Sequence, residues 1–356
     1  MILRKLLIPI LSMGLLYLCS APQLNAQTVQ SVSSPDGNIK VDVTLAGGIT
    51  YDVYRGDELV MDDCRLALDV EGNVLGSAPK LQKATRRAVN EIKKPYITLK
   101  YAEVPDHFNE LTLKMKGGFS VIFRAYDEGV AYRFATAQKG ETVVMSETAE
   151  VNFGKDNLAW LPYSTNEKNQ MAMAFQNFYD NCRLSEAKDI LAFLPVTVDC
   201  GDVKVTVMES DLESYPGMFI SVDKEKKGLD GVFAPYPKKT DFYPWRVQEY
   251  VTETEDFIAK TTGPRNYPWR VLAVTSCDTQ LPVNNLVYAL ASPSRIEDTS
   301  WIKGGQVAWD WWNDWGLSGV DFVAGINMDT YRYYIDFAAA NGIEYIVLDE
   351  GWYNPK

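Results

Sequence analysis

Two short segments late in the sequence combine acids with tryptophans. The first, "VAWDWWNDW", places Asp310, Trp311, Trp312 and Asn313 side by side. Indole rings offer flat apolar faces that suit the C–H faces of sugars, while carboxylates and amides suit sugar hydroxyl groups. Tryptophans at a junction between domains are also often plain core residues, and their spacing alone leaves both interpretations open. These four residues are therefore candidates for binding a sugar.

The second segment, "YIVLDEGW", ends an apolar run with Asp349, Glu350 and Trp352. Paired carboxylates suggest glycosidase chemistry, in which two acids flank the bond at roughly 5 to 9 Å from each other. Adjacent residues on a strand point to opposite faces, which does not suit such a pair. Asp349, which shares its face with Tyr345 and Val347, is the better candidate to face a site. We predict that both acids bind sugar or make structural hydrogen bonds, and that neither is catalytic.

A third candidate, Glu209, ends an alternating strand in the segment "VKVTVMESDLESYPGM". A glutamate at the end of a strand is usually solvated. A Ca²⁺ ion takes about six to eight oxygen ligands, and the local sequence adds only Asp211 and Glu213. The residues by themselves therefore argue only weakly for a metal site.

The reactive side chains exclude several classes of function. The sequence contains one histidine, His107, in the polar, loop-like stretch "VPDHFNEL". A metal site built from several histidines is therefore excluded, and a Ser-His-Asp mechanism is disfavoured. The cysteines that follow the first 26 residues are widely spaced and form no CxxC pair, so they predict no zinc site and leave disulfide formation open: Cys64, Cys182, Cys200 and Cys277. A net charge of −12 argues against a nucleic-acid partner.

The first 26 residues have the pattern of a secretory signal peptide. Arg4 and Lys5 precede an apolar stretch of 13 residues, 6–18, which is too short for a membrane span. Cleavage after Ala26 is predicted. Cys19 allows a lipoprotein alternative, but the residues before it lack the small side chains of such a site. We expect a secreted or periplasmic protein without a membrane span.

The region 27–290 has the residue pattern of a β-sandwich domain. Ile39, Val41, Val43 and Leu45 alternate with polar residues, and the same period recurs along the region between turns that contain glycine. More than a dozen such strands fit the region. They predict half-buried antiparallel strands in a large two-sheet sandwich.

The region 291–356 has a different pattern. Tyr331, Tyr334, Ile335 and Ala338 mark one face of a helix, and a continuous apolar run follows it. Strand, helix and strand in this order predict a parallel βαβ unit. A complete (β/α)8 barrel takes about 250 residues. We therefore expect the N-terminal part of a longer protein, in which a sandwich domain precedes the first strands and helix of a truncated barrel.

Five motifs resemble glycoside hydrolase family 97. In the sandwich region these are "SPDGNIKV" at 34–41, "FRAYDEGVAYRF" at 123–134 and "YPWRVLAV" at 267–274. In the C-terminal region they are "SWIKGGQVAWDWWNDW" at 300–315 and "NGIEYIVLDEGW" at 341–352. The resemblance covers nearly all of the chain after residue 26. It implies an exported α-glycosidase with a β-supersandwich, a (β/α)8 barrel and a small further β domain.

The resemblance also implies a cofactor and a reaction. Members of the family bind Ca²⁺ near the active site, and the motif "VMESDL" assigns one ligand to Glu209. The remaining calcium ligands, the general acid and, in the retaining branch, an aspartate nucleophile would lie beyond Lys356. Asp310, Trp311, Trp312 and Asn313, together with Asp349, Glu350 and Trp352, would bind the sugar.

The resemblance favours one branch of the family. "VAWDWWNDW" is more similar to the retaining α-galactosidases than to the inverting α-glucosidases. The expected substrate is an oligosaccharide or polysaccharide with terminal α-linked galactose or glucose. The alternatives are an inverting α-glucosidase and, for these 356 residues alone, an inactive carbohydrate-binding fragment. No feature of the sequence indicates an oligomeric state.

Overall fold

The computed structural model describes residues 28–96, 100–172, 176–244 and 248–353. The predicted signal peptide, residues 1–26, lies outside the described residues. Within the ranges described, no helix has the length and apolar character needed to cross a membrane.

Strands dominate the part of the chain before residue 276. In chain order the strands are β1 Thr28–Ser33, β2 Ile39–Leu45, β3 Ile49–Arg55, β4 Glu58–Val70, β5 Asn73–Leu75, β6 Leu81–Lys93, β7 Val104–Met115, β8 Phe119–Tyr126, β9 Gly129–Asn152, β10 Leu158–Leu161, β11 Asp180–Arg183, β12 Ala192–Phe193, β13 Val196–Asp199, β14 Lys204–Ser210, β15 Met218–Asp223, β16 Gly228–Phe233, β17 Pro237–Phe242, β18 Glu249–Thr254, β19 Ala259–Asn266, β20 Trp269–Thr275, β21 Val307–Trp309 and β22 Tyr345–Val347. The α-helices are α1 Leu286–Leu290 and α2 Met328–Ala340, and short 3₁₀ helices span Leu184–Glu186, Asp278–Val283 and Asp310–Asn313.

Hydrogen bonds connect eighteen of the described strands, β1 to β16 with β19 and β20, into one antiparallel network. The alternation seen in the sequence is the burial pattern of these strands. On β2, Ile39, Val41 and Val43 are completely buried while the residues between them are partly exposed. Because successive side chains point to opposite faces, strands with this pattern, such as β2, β3 and β8, each contribute one apolar row to a shared core. The predicted β-rich architecture is confirmed.

The longest strand, β9, changes neighbours along its length. Its first half pairs with β8 and β20, its middle pairs with β19, and its second half pairs with β4 and finally β16. One strand therefore belongs to two groups of neighbours. Side chains from its second half, such as Glu147, can reach across to side chains of β20.

A smaller apolar cluster lies on the other face of the sheet, beneath helix α1. Leu286 and Leu290 of α1 are buried against Trp269 and Val271 of β20. Both faces of β20 are therefore covered, which explains why all seven of its residues are buried. Helix α1 is the last helix or strand before the chain leaves this strand network.

The C-terminal region contains a parallel strand pair with a helix between its strands. Val307 of β21 lies opposite Tyr345 of β22, and Trp309 lies opposite Val347. Asn327 caps α2, its side-chain oxygen accepting a hydrogen bond from the Thr330 amide at 3.0 Å. The predicted βαβ arrangement is therefore present in the structure.

Three predictions of local structure need correction. On α2, Tyr331, Tyr334 and Ala338 are buried, whereas Ile335, which the helical spacing puts with them, is 49% exposed among the described residues. His107 lies on strand β7, not in a loop, since its neighbours alternate between buried and exposed positions. The third correction concerns Asp349 and Glu350, which lie beyond the end of β22 at Val347. The rule that neighbouring strand residues face apart therefore does not apply to these two acids.

Candidate functional site

The acids and tryptophans of the two C-terminal segments lie at the carboxyl ends of β21 and β22. The Trp309 indole Nε1 donates to Asp349 Oδ2 at 2.9 Å, and the Asp349 amide donates to Asp310 Oδ1 at 3.3 Å. The two segments are separated by a helix in the sequence, and parallel pairing brings their ends together. In α/β barrels this end of the strands is where the active sites form.

Asp310 is the most buried polar residue of this cluster. Its side chain is 1% exposed, and its Oδ2 has no hydrogen-bond partner in the described part of the chain. The Tyr331 hydroxyl, on the adjacent helix, also lacks a partner there. Burial raises the pKa of Tyr331, and the nearby Asp310 carboxylate adds to this effect. Oδ2 of Asp310 is therefore a buried atom beside the Tyr331 hydroxyl, out of reach of a ligand at the surface.

The tryptophans of the cluster are exposed. Trp311 and Trp312 are 52% and 79% exposed, and Trp352 is 58% exposed. Trp311 and Trp312 belong to the 3₁₀ helix that follows β21, so this strand is shorter than the apolar run suggested. Their ring faces are therefore accessible to a ligand.

The remaining residues predicted to bind sugar differ in how many of their polar atoms already make hydrogen bonds. Asn313 donates through its side-chain nitrogen to the Tyr334 hydroxyl at 3.1 Å, so part of its amide is already used. Asp349 is partly buried and oriented by Trp309, whereas Glu350 is exposed and donates its amide to Asp349 Oδ1 at 2.6 Å. Asp310 and Asp349 are thus the best-held acceptors at this end of the strands.

Glu209 lies elsewhere, in a largely buried network of charged groups. Arg270 Nη1 donates to Glu209 Oε2 at 2.8 Å, while Arg270 Nε and Nη2 each donate to Glu147 at 2.7 Å. The Tyr215 hydroxyl donates to the same Glu147 at 2.8 Å, and the Met218 amide donates to Glu209. The side chain of Glu209 is only 17% exposed, so the expectation of a solvated glutamate is wrong.

The charges in this network balance unevenly. Burial lowers the pKa of Arg270, but the two carboxylates outweigh burial and raise it above its ordinary value. Burial also raises the pKa of Glu209, and Arg270 opposes this change without cancelling it. Glu209 is therefore a desolvated carboxylate whose partner is shared with a second acid.

The segment that follows Glu209 contacts the chain that leads out of the sandwich. Asp211 accepts hydrogen bonds from the amide and hydroxyl of Ser292, at 3.0 and 2.7 Å. Glu213 forms an ion pair with Arg295 at 2.9 Å. The end of β14 is thereby attached to the connection between the sandwich and the βαβ unit.

These contacts decide what Glu209 can offer to a metal ion. Within the described ranges, no three His, Cys, Asp or Glu side chains are grouped closely enough to hold a metal. From the residues that the structure describes, Oε1 of Glu209 accepts a hydrogen bond only from the Met218 amide, at 3.2 Å, so it has capacity for one more interaction. Glu209 therefore fits as a single carboxylate ligand of a larger site, and the described residues do not form a complete calcium site.

The described residues show no hydrogen bond or ion pair between Glu209 and the Asp310–Asp349 cluster. The sequence interpretation also missed Arg270, Glu147 and Tyr215. One signal was present: "YPWRVLAV" places an arginine inside an otherwise apolar strand. A buried arginine requires an acidic partner, so that pattern predicts a buried ion pair.

We expect Arg270→Met to lower the free energy of unfolding by about 3–5 kcal/mol, because it leaves two buried carboxylates without their cation. Arg295→Met is the matched control. It breaks the pair between Arg295, whose side chain is 82% exposed, and Glu213, and should cost less than about 1 kcal/mol. Denaturant unfolding of the purified variants measures both changes. Equal, small losses would contradict the assignment of Arg270 as the central cation.

Comparisons with known proteins identify the family of this chain. The family model described as Glycosyl-hydrolase 97 N-terminal matches residues 32–293, and that described as Glycoside hydrolase 97 matches residues 311–356. A retaining alpha-galactosidase from Bacteroides thetaiotaomicron is 44% identical over 339 residues, which cover 92% of this chain and 51% of the relative. A probable retaining alpha-galactosidase from Streptomyces bingchenggensis is 26% identical over 325 residues, covering 90% and 45%.

Solved structures share the fold. A glycoside hydrolase family 97 enzyme from Pseudoalteromonas sp. strain K8, in complex with panose, superposes with a TM-score of 0.74 at 21% identity and covers 91% of this chain and 48% of that one. A beta-arabinopyranosidase superposes with a TM-score of 0.72 at 21% identity, covering 92% and 51%. The chain spans about half the length of the curated relatives it matches. The match over most of its residues shows that the chain belongs to glycoside hydrolase family 97.

Proposed function

We propose that this chain is the N-terminal part of an exported glycoside hydrolase that removes terminal α-linked sugars, with retaining α-galactosidase as the favoured activity. One observation carries the proposal: the 44% identity to a retaining alpha-galactosidase extends over 92% of the chain. The exposed tryptophans beside Asp310 and Asp349 support a carbohydrate ligand, and the sequence of residues 1–26 supports export.

The residues of this chain would bind and orient the sugar. Asp349 is partly exposed and held by the Trp309 indole, so it can accept a hydrogen bond from a sugar hydroxyl, while the buried Asp310 accepts the Asp349 amide and helps to orient that residue. Trp311, Trp312 and Trp352 can stack against the sugar ring and displace water from it. Holding the ring in one orientation is a substantial part of catalysis because it removes rotational freedom before the chemical step.

The bond-breaking residues belong, in this proposal, to the part of the protein beyond residue 356. A carboxylate there would attack the anomeric carbon as the glycosidic oxygen leaves. A second carboxylic acid would protonate that oxygen. Water would then attack the same carbon and displace the first carboxylate, while the second residue, now deprotonated, accepts a proton from the water. The net configuration at the anomeric carbon is then retained.

The apolar surface of the βαβ unit supports a larger barrel. Val307, Tyr345 and Val347 on the strands are 42–49% exposed, and Ile335 and Phe337 on the helix are 49% and 50% exposed. Parallel sheets are normally covered on both faces. We infer that further βα units of the whole protein pair with β21 or β22 and cover these side chains.

A calcium ion is part of the proposal, with Glu209 as the ligand from the sandwich domain. The desolvated carboxylate and the free capacity of its Oε1 support this role. When bound, such an ion would polarise an oxygen of the sugar or the leaving group. Arg270 and the Met218 amide would hold Glu209 in one orientation.

The full-length protein is expected to hydrolyse nitrophenyl α-galactoside and to release the α-anomer first. Proton NMR of the early product measures this configuration. Preference for nitrophenyl α-glucoside with release of the β-anomer would instead establish the inverting α-glucosidase alternative. Absence of hydrolysis of either compound would contradict the proposed activity.

Asp349→Ala in the full-length protein should reduce kcat/KM on that substrate by roughly 10- to 150-fold. This is the loss expected for one hydrogen bond to a charged group. Asp62→Ala is the matched control, because Asp62 is exposed on β4 of the sandwich, and its rate should be unchanged. Equal rates for both variants would exclude Asp349 from sugar binding.

Removal of calcium with EDTA should lower the melting temperature of the full-length protein, and added Ca²⁺ should restore it. Glu209→Gln keeps the shape of the side chain but removes its charge. It should raise the Ca²⁺ concentration needed for half of this recovery about tenfold or more. Glu213→Gln, on the same segment, is the control and should recover as the unmodified protein does. A melting temperature insensitive to EDTA would contradict the calcium proposal.

A further inference from the structure

A groove of about 390 Å³ lies on the outer face of the sheet formed by β10, β13 and β14. Trp160 and Thr197, which are opposite each other in the β10–β13 register, form its floor. Tyr179 and the 3₁₀ helix at Asp278–Val283 stand on its sides. We propose that this groove binds a neutral saccharide and is a second carbohydrate-binding site of the protein.

The side chain of Trp160, which forms the floor of the groove, does not pack in the main core. Ala159 and Leu161, the neighbours of Trp160 on β10, are completely buried in the main core. Because side chains alternate along a strand, Trp160 points to the opposite face. Its indole N–H has no hydrogen-bond partner among the residues that the structure describes. The ring therefore offers both an apolar face and a free donor.

A second aromatic side chain completes the binding surface. Tyr179 is 44% exposed, and its hydroxyl donates to the Pro195 carbonyl at 3.3 Å, which holds the ring at the edge of the groove. Two aromatic rings around a small groove are suited to the alternating apolar and polar surfaces of a sugar ring. A groove of this volume falls within the size range of small-ligand sites.

The polar groups around the groove favour a neutral ligand over an anionic one. Lys204 is paired with Asp278 at 2.8 Å and with Asp199 at 3.6 Å, so its charge is balanced. The hydroxyls of Thr197 and Thr206 bond to each other at 2.9 Å and remain able to exchange that contact for a sugar hydroxyl. A phosphate or sulfate group would meet two carboxylates and no unpaired cation in this groove.

The position of the groove separates it from Glu209. Lys204 begins β14 and Glu209 lies five residues further along the same strand, which is about 17 Å. One sugar ring cannot span both places. The groove would therefore hold either another part of the glycan bound near Glu209 or a separate glycan molecule. The choice of an α-galactosyl polysaccharide as the probe rests on the proposed function. The proposal that the groove binds a saccharide rests on the residues of the groove alone.

The test is native gel electrophoresis of the full-length protein in gels that contain galactomannan, with gels containing dextran and gels without polysaccharide run in parallel. Trp160→Ala removes the floor of the groove. Tyr179→Ala removes its edge and alters only an exposed side chain, so it is expected to fold. Phe242→Ala is the matched control, because Phe242 is an exposed aromatic residue on the separate β17–β18 pair.

Galactomannan should slow the unmodified protein and Phe242→Ala equally. Trp160→Ala and Tyr179→Ala should lose most of this retardation, with dissociation constants about tenfold higher, while all four proteins hydrolyse nitrophenyl α-galactoside at the same rate. If dextran retards the protein and galactomannan does not, and if the two variants lose this retardation, the groove is a saccharide site but galactose is not its sugar. Equal migration of all four proteins in every gel would overturn the proposal.

The two proposals fail separately. If no nitrophenyl glycoside is hydrolysed but the gels still distinguish Trp160→Ala and Tyr179→Ala from the control, the hydrolase proposal fails and the groove stands. If hydrolysis is normal and the gels show no difference, the groove fails and the hydrolase stands.

Discussion

The buried ion pairs of Arg270 join elements that are far apart in the sequence. Arg270 lies on β20, and its two acidic partners come from the second half of β9 and from the end of β14. Arginine suits this position because its planar guanidinium can donate in several directions at once. The desolvation of three charged groups is offset by short, well-directed hydrogen bonds, together with the ring of Phe233 at 4.8 Å from the guanidinium carbon. The end of β14 is thereby held in one place.

The end of β14 also contacts the part of the chain that follows helix α1. The residues just after Glu209 bind the connection that follows helix α1, through Asp211 with Ser292 and Glu213 with Arg295. Helix α1 itself is held on β20 by a small apolar cluster. The strand network therefore determines where the chain emerges toward the βαβ unit, and it provides a carboxylate close to that exit.

The sequence predicted the large-scale features because they depend on periodicity. The alternation along β2 and β3 and the helical spacing of Tyr331 and Tyr334 follow from local rules that need no distant partner. The same rules failed where local and distant forces compete. The chain leaves β22 at Val347 and β21 at Trp309, although apolar residues continue past each end. Asp310 and Asp349 approach each other only because the two strands are parallel neighbours.

By itself the sequence determined the β-rich architecture, the change from alternating strands to a helix-containing pattern after residue 290, and the family. These follow from alternation, helical spacing and long motifs, which are properties of neighbouring residues. Only the tertiary structure decided which acids are buried and which partners they have. Glu209 resembled an ordinary solvated strand end in the sequence, and 61 residues separate it from Arg270. The burial pattern of β10 places Trp160 on the face opposite Ala159 and Leu161. Burial and charge pairing depend on distant segments that the fold brings together, and no local pattern contains that information.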